Sequence, residues 1–379
     1  MAKLNWGMIG GGEGSQIGPA HRLGALADGH FSLAAGALDH RPDVGRNYAR
    51  RLGVAPDRAY GDWREMLAGE RDRPDRCDLV TVATPNATHF EISKAFLEAG
   101  FHVLCEKPMT VTVEEGEELV RIAEKTGRIC AVNYCYSAYP MVRQAREMVK
   151  SGELGEIRLV QMEYPQDWLA EPIEQTGQKQ AAWRTDPKQS GAGGSTGDIG
   201  THAYNLGCFV SGLELEELAA DVHTFVKGRQ LDDNAHVMMR FAGGAKGLLW
   251  CSQVATGHEN GLKVRVYGTK GGLEWVQADP NYLWFTPLGK PRQLITRSGA
   301  GAGPAASRVT RIPSGHPEGY LEGFATIYTE AAKAMIAKRN GTKLDPDVIY
   351  PTVEDGVKGV AFVEACIASS KRNGAWVKV

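Results

Sequence analysis

Residues 78–108 read DLVTVATPNATHFEISKAFLEAGFHVLCEKP, and this stretch decides the fold. Residues 79–82 form a short apolar run rich in β-branched side chains, which is typical of a strand buried on both faces. Apolar residues then recur at helical spacing as far as Gly100, a glycine that commonly ends a helix. A second apolar run covers residues 102–105. The stretch is therefore predicted to form a β-α-β unit.

Each strand of this unit leads into a polar loop. The first strand is followed by Thr84-Pro85-Asn86 and the second by Glu106-Lys107-Pro108. Because ligands bind beyond the carboxyl ends of the strands in open α/β sheets, we expect both loops to face one crevice. The proline restricts the backbone of Lys107 and helps to aim its side chain. The alternative is a solvated loop lysine.

A glycine-rich loop follows the first predicted strand, residues 5–9. Glycines at this place let backbone N–H groups approach a pyrophosphate at a helix N-terminus. The glycines available for this are Gly10, Gly12, Gly14 and Gly18. The loop is about three residues longer than the G-x-G-x-x-G pattern requires, so a flexible glycine-rich turn remains an alternative.

The second predicted strand, residues 31–38, ends at Asp39. An acidic residue there suits the adenosine ribose hydroxyls of NAD. Two alternatives stay open. Asp39 can instead cap the helix that starts near Asp43, or Arg41 can pair with the 2′-phosphate of NADP.

The length of 379 residues favours two domains. We place an NAD(P)-binding domain at residues 1–137, with alternating strands and helices that predict a doubly wound parallel sheet. Residues 138–379 then form an α+β domain, in which consecutive runs of period two predict an open, mostly antiparallel sheet. Gly243-Gly244 and Lys270-Gly271-Gly272 are predicted hairpin turns. The C-terminal helix is allowed to pack back on the first domain.

Composition excludes several classes of function. The formal net charge of −2 argues against a general binder of nucleic acid or membrane surfaces, and no apolar run reaches the length of a membrane span. The N-terminus lacks the shape of a cleavable signal. The seven cysteines are scattered, without metal-ligand spacing, and an odd count indicates a reducing cytoplasm.

A long polar segment, residues 165–197, interrupts the second domain, and loops of this length are usually functional. Tyr136, Trp168, Trp183 and Arg184 are candidate substrate-wall residues, because aromatic rings stack on sugars and arginine binds anions or hydroxyls. Ordinary packing is the alternative for each. Next come Asp198 and His202, four residues apart on one predicted helix, where a carboxylate can orient an imidazole that acts as a general base. Otherwise Asp198 is an N-cap and His202 a packed histidine.

Together these motifs resemble the glucose–fructose oxidoreductase / inositol dehydrogenase / rhizopine-catabolism (Gfo/Idh/MocA) superfamily. The resemblance covers nearly the whole chain and rests on the glycines at 10–12, Ala83-Thr84-Pro85-Asn86 with His89, Glu106-Lys107-Pro108, and Asp198-x-Gly200-x-His202. It implies an NAD(P)-dependent enzyme of sugars or polyols in which His202 is the base or acid, Lys107 assists, and Asp198 orients or binds substrate. Thr84, Pro85, Asn86, His89, Glu106 and Lys107 are then cofactor-binding residues. The resemblance also implies a homodimer or homotetramer formed through the C-terminal sheet.

Three functions remain open on these grounds. The first is hydride transfer to or from a secondary hydroxyl, such as C3 of a sugar. The second is an NAD-dependent glycosidase that oxidises C3 transiently, eliminates, hydrates and re-reduces; the cationic segment with Lys179 and Lys188 suits an anionic, sulfoquinovosidase-like substrate. The third is a non-catalytic nucleotide sensor, which the presence of both Lys107 and His202 disfavours.

Overall fold

The computed structural model describes residues 3–379 and divides into two compact units. The first unit comprises the described chain up to Thr110 together with Glu114–Cys135 and Tyr320–Val357. The second unit comprises Val111–Val113, Tyr136–Gly319 and Lys358–Val379. Each unit is described by itself below.

The first unit contains a five-stranded parallel sheet. Its strands are β1 (Leu4–Gly10), β2 (Phe31–Ala37), β3 (Leu79–Ala83), β4 (His102–Cys105) and β5 (Cys130–Val132). Their order is β2-β1-β3-β4-β5, and every pair is parallel. The order reverses at β1, which is the topological switch point where doubly wound sheets bind ligands. The predicted Rossmann-type parallel sheet is confirmed.

The second unit contains a nine-stranded sheet. Its strands are β6 (Ile157–Pro165), β7 (Leu215–His223), β8 (Asn234–Phe241), β9 (Lys246–Ser252), β10 (Lys263–Gly268), β11 (Gly271–Val276), β12 (Tyr282–Pro287), β13 (Gln293–Thr296) and β14 (Val377–Lys378). The order is β13-β12-β11-β10-β6-β9-β8-β7-β14. All pairs are antiparallel except β6 with β9, so the sheet is mixed and mostly antiparallel, as predicted.

Twelve α-helices accompany these sheets in residues 3–379. They are α1 (Ile17–Ala27), α2 (Pro42–Arg51), α3 (Trp63–Arg71), α4 (His89–Glu98), α5 (Val113–Thr126), α6 (Pro140–Lys150), α7 (Lys179–Arg184), α8 (Pro187–Ser190), α9 (Thr201–Ser211), α10 (Pro304–Ser307), α11 (Tyr320–Asn340) and α12 (Val353–Lys371). None is long and apolar enough to span a bilayer.

The central β-α-β unit is buried for the reason that its sequence indicates. The side chains of β4 are buried throughout, and in β3 only the final Ala83 is half-buried. Phe96 and Phe101, at the two ends of the connection, meet edge to face with ring centroids 5.2 Å apart. Helices on both faces of a parallel sheet require strands with apolar residues at every position, and this accounts for the absence of alternation.

Two local predictions need correction. Gly271 and Gly272 lie inside β11 rather than in a turn, and residues 269–270 make the connection. Gly243 and Gly244 do form a turn, with φ angles of 82° and 95°. The strands β12, β13 and β14 are short and bury one side only, and sequence analysis did not predict them.

The predicted helix around Asp198 and His202 is also different in detail. Residues Thr196–Gly200 form a π-helical turn, and α9 begins only at Thr201. In a π turn the hydrogen bonds run from residue i to i+5, so side chains four apart no longer lie directly above each other. The N-cap of α9 is Gly200, and Asp198 is therefore not its N-cap.

The polar segment before this turn is folded rather than extended. It contains the short helices α7 and α8, and Arg229 ties its beginning to the second unit's core. The Arg229 guanidinium, 1% exposed, donates to the carbonyl of Leu169 and pairs with the carboxylates of Glu174 and Asp233 at 3.0 and 3.2 Å. A buried arginine with this many acceptors holds the segment in one conformation.

Candidate active site

The glycine-rich loop is closely packed where glycine is required. A Cβ atom on Gly12 would lie 2.2 Å from the carbonyl oxygen of Leu38, and one on Gly18 would lie 1.9 Å from that of Gly11. Gly10 combines a φ of +75° with a Cβ position only 2.4 Å from the Ala83 oxygen. Gly14 also has a φ of +75°, but nothing lies within 4 Å of its Cβ position. Helix α1 begins at Ile17, directly after the glycine-rich loop, and includes Gly18.

Asp39 follows β2 and is bound by its neighbour Arg41. Its Oδ1 accepts the Arg41 backbone N–H and Nε, both at 3.0 Å, and its Oδ2 accepts Nη2 at 3.1 Å. The hydrogen bond from the Arg41 side chain lowers the pKa of Asp39 to about 2. The N-cap of α2 is Arg41, so the capping alternative for Asp39 is wrong. Arg41 itself is committed to this carboxylate.

His89 joins the two loops that follow β3 and β4. Its Nε2 lies 2.8 Å from the carbonyl oxygen of Thr84, and its Nδ1 lies 2.9 Å from that of Pro108. A neutral imidazole has a single N–H donor, so two carbonyl partners favour the charged ring, while complete burial lowers the pKa of His89. The ring thus holds the Thr84-Pro85-Asn86 and Glu106-Lys107-Pro108 loops side by side. Its assignment as a cofactor ligand stays a prediction.

Glu106 is the centre of a buried polar chain. Its Oε1 contacts His21 Nε2 at 2.9 Å and accepts from Asn133 Nδ2 at 2.5 Å. Its Oε2 accepts the backbone N–H of Lys107 at 3.1 Å, which ties the carboxylate to the predicted catalytic lysine. Burial disfavours the charge of Glu106, but the hydrogen bonds from His21 and Asn133 and the positive charges of His21 and Lys107 together outweigh it and lower the pKa of Glu106 to about 2.

The chain continues from His21 to the opposite end of the sequence. His21 Nδ1 lies 2.9 Å from the hydroxyl of Tyr328 in α11, and that hydroxyl lies 2.8 Å from Thr81 Oγ1. Trp6 Nε1 donates to the same threonine oxygen at 2.9 Å. Each of these polar atoms therefore has a partner although all are buried, as low local dielectric demands.

In the second unit, His202 is packed among tyrosines. It is 7% exposed, and its ring centroid lies 4.8 Å from that of Tyr136 and 6.3 Å from that of Tyr164. The two tyrosine hydroxyls lie 2.7 Å apart and share a hydrogen bond. The imidazole thus has an aromatic wall on one side, consistent with the predicted role of Tyr136 in lining a substrate site.

Asp198 is bound by two side chains from elsewhere in the second unit. Its Oδ2 accepts from Gln253 Nε2 at 2.8 Å and lies 3.4 Å from Arg184 Nε. The Arg184 guanidinium stacks over Trp183 at 4.3 Å and faces Trp168 at 5.9 Å. Three of the predicted substrate-wall residues are therefore brought together beside the predicted catalytic aspartate.

Family models match most of the chain. A model described as an oxidoreductase family with an NAD-binding Rossmann fold matches residues 4–134, and one described as the GFO/IDH/MocA C-terminal domain matches residues 142–274. The chain belongs to the Gfo/Idh/MocA family. It is an NAD(P)-dependent dehydrogenase-type enzyme of the sugar and polyol class. This finding rules against the alternative of a non-catalytic nucleotide sensor.

Several relatives match over the full length. An oxidoreductase structure from Sinorhizobium meliloti is 55% identical, with a TM-score of 0.89 and complete coverage of both chains. An inositol dehydrogenase homologue from Azotobacter vinelandii, solved with NADH and myo-inositol, is 41% identical, with a TM-score of 0.93, and covers 100% of this chain and 98% of its own. Levoglucosan dehydrogenase of Pseudarthrobacter phenanthrenivorans is 31% identical, and the match covers 100% of this chain and 99% of that protein.

The cofactor of this Rossmann unit is NAD, and the residues of the loop and β2 suit it. Gln16 makes no side-chain cap on α1, but the Gly18 amide in its first turn donates to Ser15 Oγ at 3.1 Å, and a pyrophosphate contact at this helix N-terminus stays a prediction. Arg22 stabilises the glycine-rich loop, because its Nη1 donates to the carbonyl oxygen of Gly11 at 2.7 Å. The role of Asp39 as an acceptor for ribose hydroxyls stays a prediction. No group of three or more His, Cys, Asp or Glu within residues 3–379 suits a metal ion.

Sequence reasoning missed several residues that the structure brings to these sites. Tyr164 and Gln253 end neighbouring strands of the second unit and contact the predicted catalytic residues only through tertiary packing. His21 lies in α1, and its contact with Glu106, 85 residues away, leaves no signal in the sequence. Asn133 directly follows β5, so the rule that ligands bind at carboxyl ends of strands was the one available indication.

Proposed function

We propose that this enzyme oxidises a secondary hydroxyl of a cyclic polyol or sugar with NAD, or reduces the corresponding ketone. The observation that carries the proposal is the similarity, over the whole of this chain, to the homologue solved with NADH and myo-inositol. The levoglucosan dehydrogenase relative supports the same class of substrate, a ring that carries several hydroxyls.

The roles assigned to the residues follow from their chemistry. NAD, when bound, would supply the hydride acceptor for the carbon that bears the hydroxyl. His202 accepts the proton of that hydroxyl, and a histidine suits this step because its ordinary pKa lies near neutral pH. Lys107 polarises or shuttles the proton, and its backbone is held by Glu106. Asp198, held by Gln253 and Arg184, binds a neighbouring substrate hydroxyl or orients His202.

The experiment is a substrate panel of cyclic polyols, free hexoses and aryl glycosides, each incubated with NAD. Formation of NADH with a polyol or hexose supports the proposal, whereas release of the aryl alcohol without net NADH would show a glycosidase instead. We expect Lys107→Ala and His202→Ala each to lower kcat by roughly 10²–10⁴-fold, the usual contribution of general acid–base groups. Lys125→Ala, an exposed lysine in α5, is the control and should retain full activity.

The structure weakens the hypothesis that the substrate is an anionic glycoside. The cationic segment suggested this substrate because it carries Arg184 as well as two lysines, yet the Arg184 guanidinium faces the Asp198 carboxylate at 3.4 Å. A cation already matched by a carboxylate attracts a second anion less strongly. The dehydrogenase proposal therefore stands ahead of the NAD-dependent glycosidase.

We also propose that the enzyme self-associates through the outer face of its nine-stranded sheet. Leu159, Leu248 and Met238, on the adjacent strands β6, β9 and β8, share this face and are 47%, 51% and 50% exposed. Tyr267, directly opposite Leu159 on β10, extends the row. Contiguous apolar surface of this kind marks interfaces. Light scattering should give the mass of a dimer or tetramer, and Leu248→Glu should reduce it; a monomeric wild type would contradict the proposal.

A further inference from the structure

A buried carboxylate, Asp232, holds the segment that leads into the turn carrying Asp198. Its Oδ1 accepts from the Gly194 amide at 2.6 Å and from the Thr196 hydroxyl at 3.1 Å. Its Oδ2 accepts from the Ser195 hydroxyl at 2.6 Å and from the Thr196 amide at 2.8 Å. Burial raises the pKa of Asp232, and these four donors oppose that effect.

This arrangement replaces a local helix cap. The first N–H groups of a helix need acceptors from outside it. Ser195 precedes the π turn and makes no side-chain capping bond, and its hydroxyl donates to Asp232. Gly200, the N-cap of α9, has no side chain to offer. The acceptor for the first amide of the turn, that of Thr196, therefore comes from a residue 36 positions further along the chain.

The segment has little room to move around this carboxylate. A Cβ atom on Gly194 would lie 2.1 Å from the Asp232 carbonyl oxygen, and one on Gly193 would lie 2.4 Å from Thr196 Oγ1. The Asp198 amide in turn donates to the Gly194 oxygen at 2.8 Å. A displacement of Gly194 is therefore passed directly to the backbone of Asp198.

We propose that Asp232 is a positioning residue that sets the places of Asp198 and His202 through residues 194–196. The inference rests on the function proposed above for those two side chains. Replacing the carboxylate by an amide leaves one acceptor oxygen and turns an NH₂ group toward a backbone N–H, which cannot accept from it, and toward a hydroxyl, which would have to change from donor to acceptor. The segment must then shift, and a displacement near 1 Å at reacting groups costs about 10²-fold in rate.

The neighbouring Asp233 provides a matched control. It is also fully buried, and its carboxylate accepts from the amides of Phe225 and Val226 at 2.8 and 3.0 Å and pairs with Arg229. These partners secure the connection between β7 and β8 and, through Arg229, the beginning of the polar segment, but none of them is bonded to residues 194–196. Asp233→Asn therefore removes one buried charge from the same strand end without changing the ligands of residues 194–196.

The first experiment compares kcat and the Kd of NADH for Asp232→Asn and Asp233→Asn, at a temperature where both are folded. We expect Asp232→Asn to lower kcat at least about tenfold while the Kd of NADH changes less than twofold, because NADH binds the first unit. Asp233→Asn should keep kcat within about threefold. If Asp232→Asn does not fold, Ser195→Ala, which removes one of the four donors, takes its place. Equal kcat values for the Asp232 and Asp233 variants would overturn the proposal.

The second experiment does not depend on activity. Ring ¹⁵N resonances of His202, assigned with His202→Ala, should shift in Asp232→Asn and stay unchanged in Asp233→Asn. An unchanged His202 signal in Asp232→Asn would overturn the proposal even if the wild type proves to act on another substrate. A wild type without polyol dehydrogenase activity would contradict only the proposed function.

Discussion

His21 Nε2 lies 2.9 Å from Glu106 Oε1, so the helix behind the glycine loop is bonded to the residue that precedes the predicted catalytic lysine. Both side chains are buried, and the remaining ring nitrogen of His21 contacts the Tyr328 hydroxyl. The pair therefore joins two parts of the nucleotide-binding unit that are 85 residues apart.

Replacing His21 should destabilise the first unit in a manner that depends on pH. His21→Phe leaves a buried carboxylate without its partner, which typically costs about 3–5 kcal/mol. The wild-type pKa of Glu106, about 2, lies below its ordinary 4.5, so the stabilisation is present above pH 4.5 and is lost as the pH falls toward 2. Urea unfolding should thus show a larger gap between the two proteins at pH 7 than at pH 3. Tyr328→Phe, which leaves the Glu106 contact in place, should cost about 1 kcal/mol without this pH dependence.

Gly10 should be far less replaceable than Gly29, although both have positive φ angles of 75° and 70°. Asparagine tolerates this backbone conformation, so Gly10→Asn and Gly29→Asn differ mainly in the room that is available for the new side chain. A Cβ on Gly10 would meet the Ala83 oxygen at 2.4 Å, whereas nothing lies within 4 Å at Gly29. We expect Gly10→Asn to lower the free energy of unfolding by about 1–3 kcal/mol and to weaken NADH binding. Similar melting temperatures for both variants would contradict the packing argument.

Asp39 should control the choice between NADH and NADPH. Asp39→Ser removes acceptors for the ribose and releases Arg41 for a 2′-phosphate, so the Kd of NADH should rise roughly tenfold and the preference for NADH should fall. Because the pKa of Asp39 is about 2, its contribution to wild-type binding should be constant between pH 5 and 9. Fluorescence titration with both nucleotides measures this. The Asp43 carboxylate is 97% exposed, so Asp43→Ser is the control and should bind both nucleotides as the wild type does.

Arg184 should matter for the substrate and not for the nucleotide. Arg184→Met removes the cation that faces Asp198 at 3.4 Å and keeps much of the contact with Trp183. We expect kcat/KM for the polyol to fall at least about tenfold, the effect of one lost charge-assisted contact, while the Kd of NADH stays unchanged. Lys188→Ala, an exposed cation in α8, serves as control. Equal losses in both variants would show that the general positive charge of the segment matters instead.

Local patterns were sufficient for the parts of this protein in which neighbouring residues determine structure. The apolar runs at 79–82 and 102–105 became β3 and β4 because strands covered on both faces need apolar side chains throughout. Asp62 is a residue type that favours helix starts, and it caps α3 by accepting from the amides of Arg64 and Glu65. The motifs around Lys107 and His202 identified the family on chemistry that is local in the chain.

The sequence by itself determined the two sheets, the glycine loop and the residue types available for hydride chemistry, because these depend on spacing and on turn residues. Only the tertiary structure decided which distant side chains hold the site residues in place. Tyr328 reaches His21 across 307 residues, Gln253 binds Asp198 across 55, and the π turn before α9 depends on Asp232 rather than on any local cap. Such contacts form when distant elements pack, and hydrogen bonds between them leave no periodic trace in the sequence.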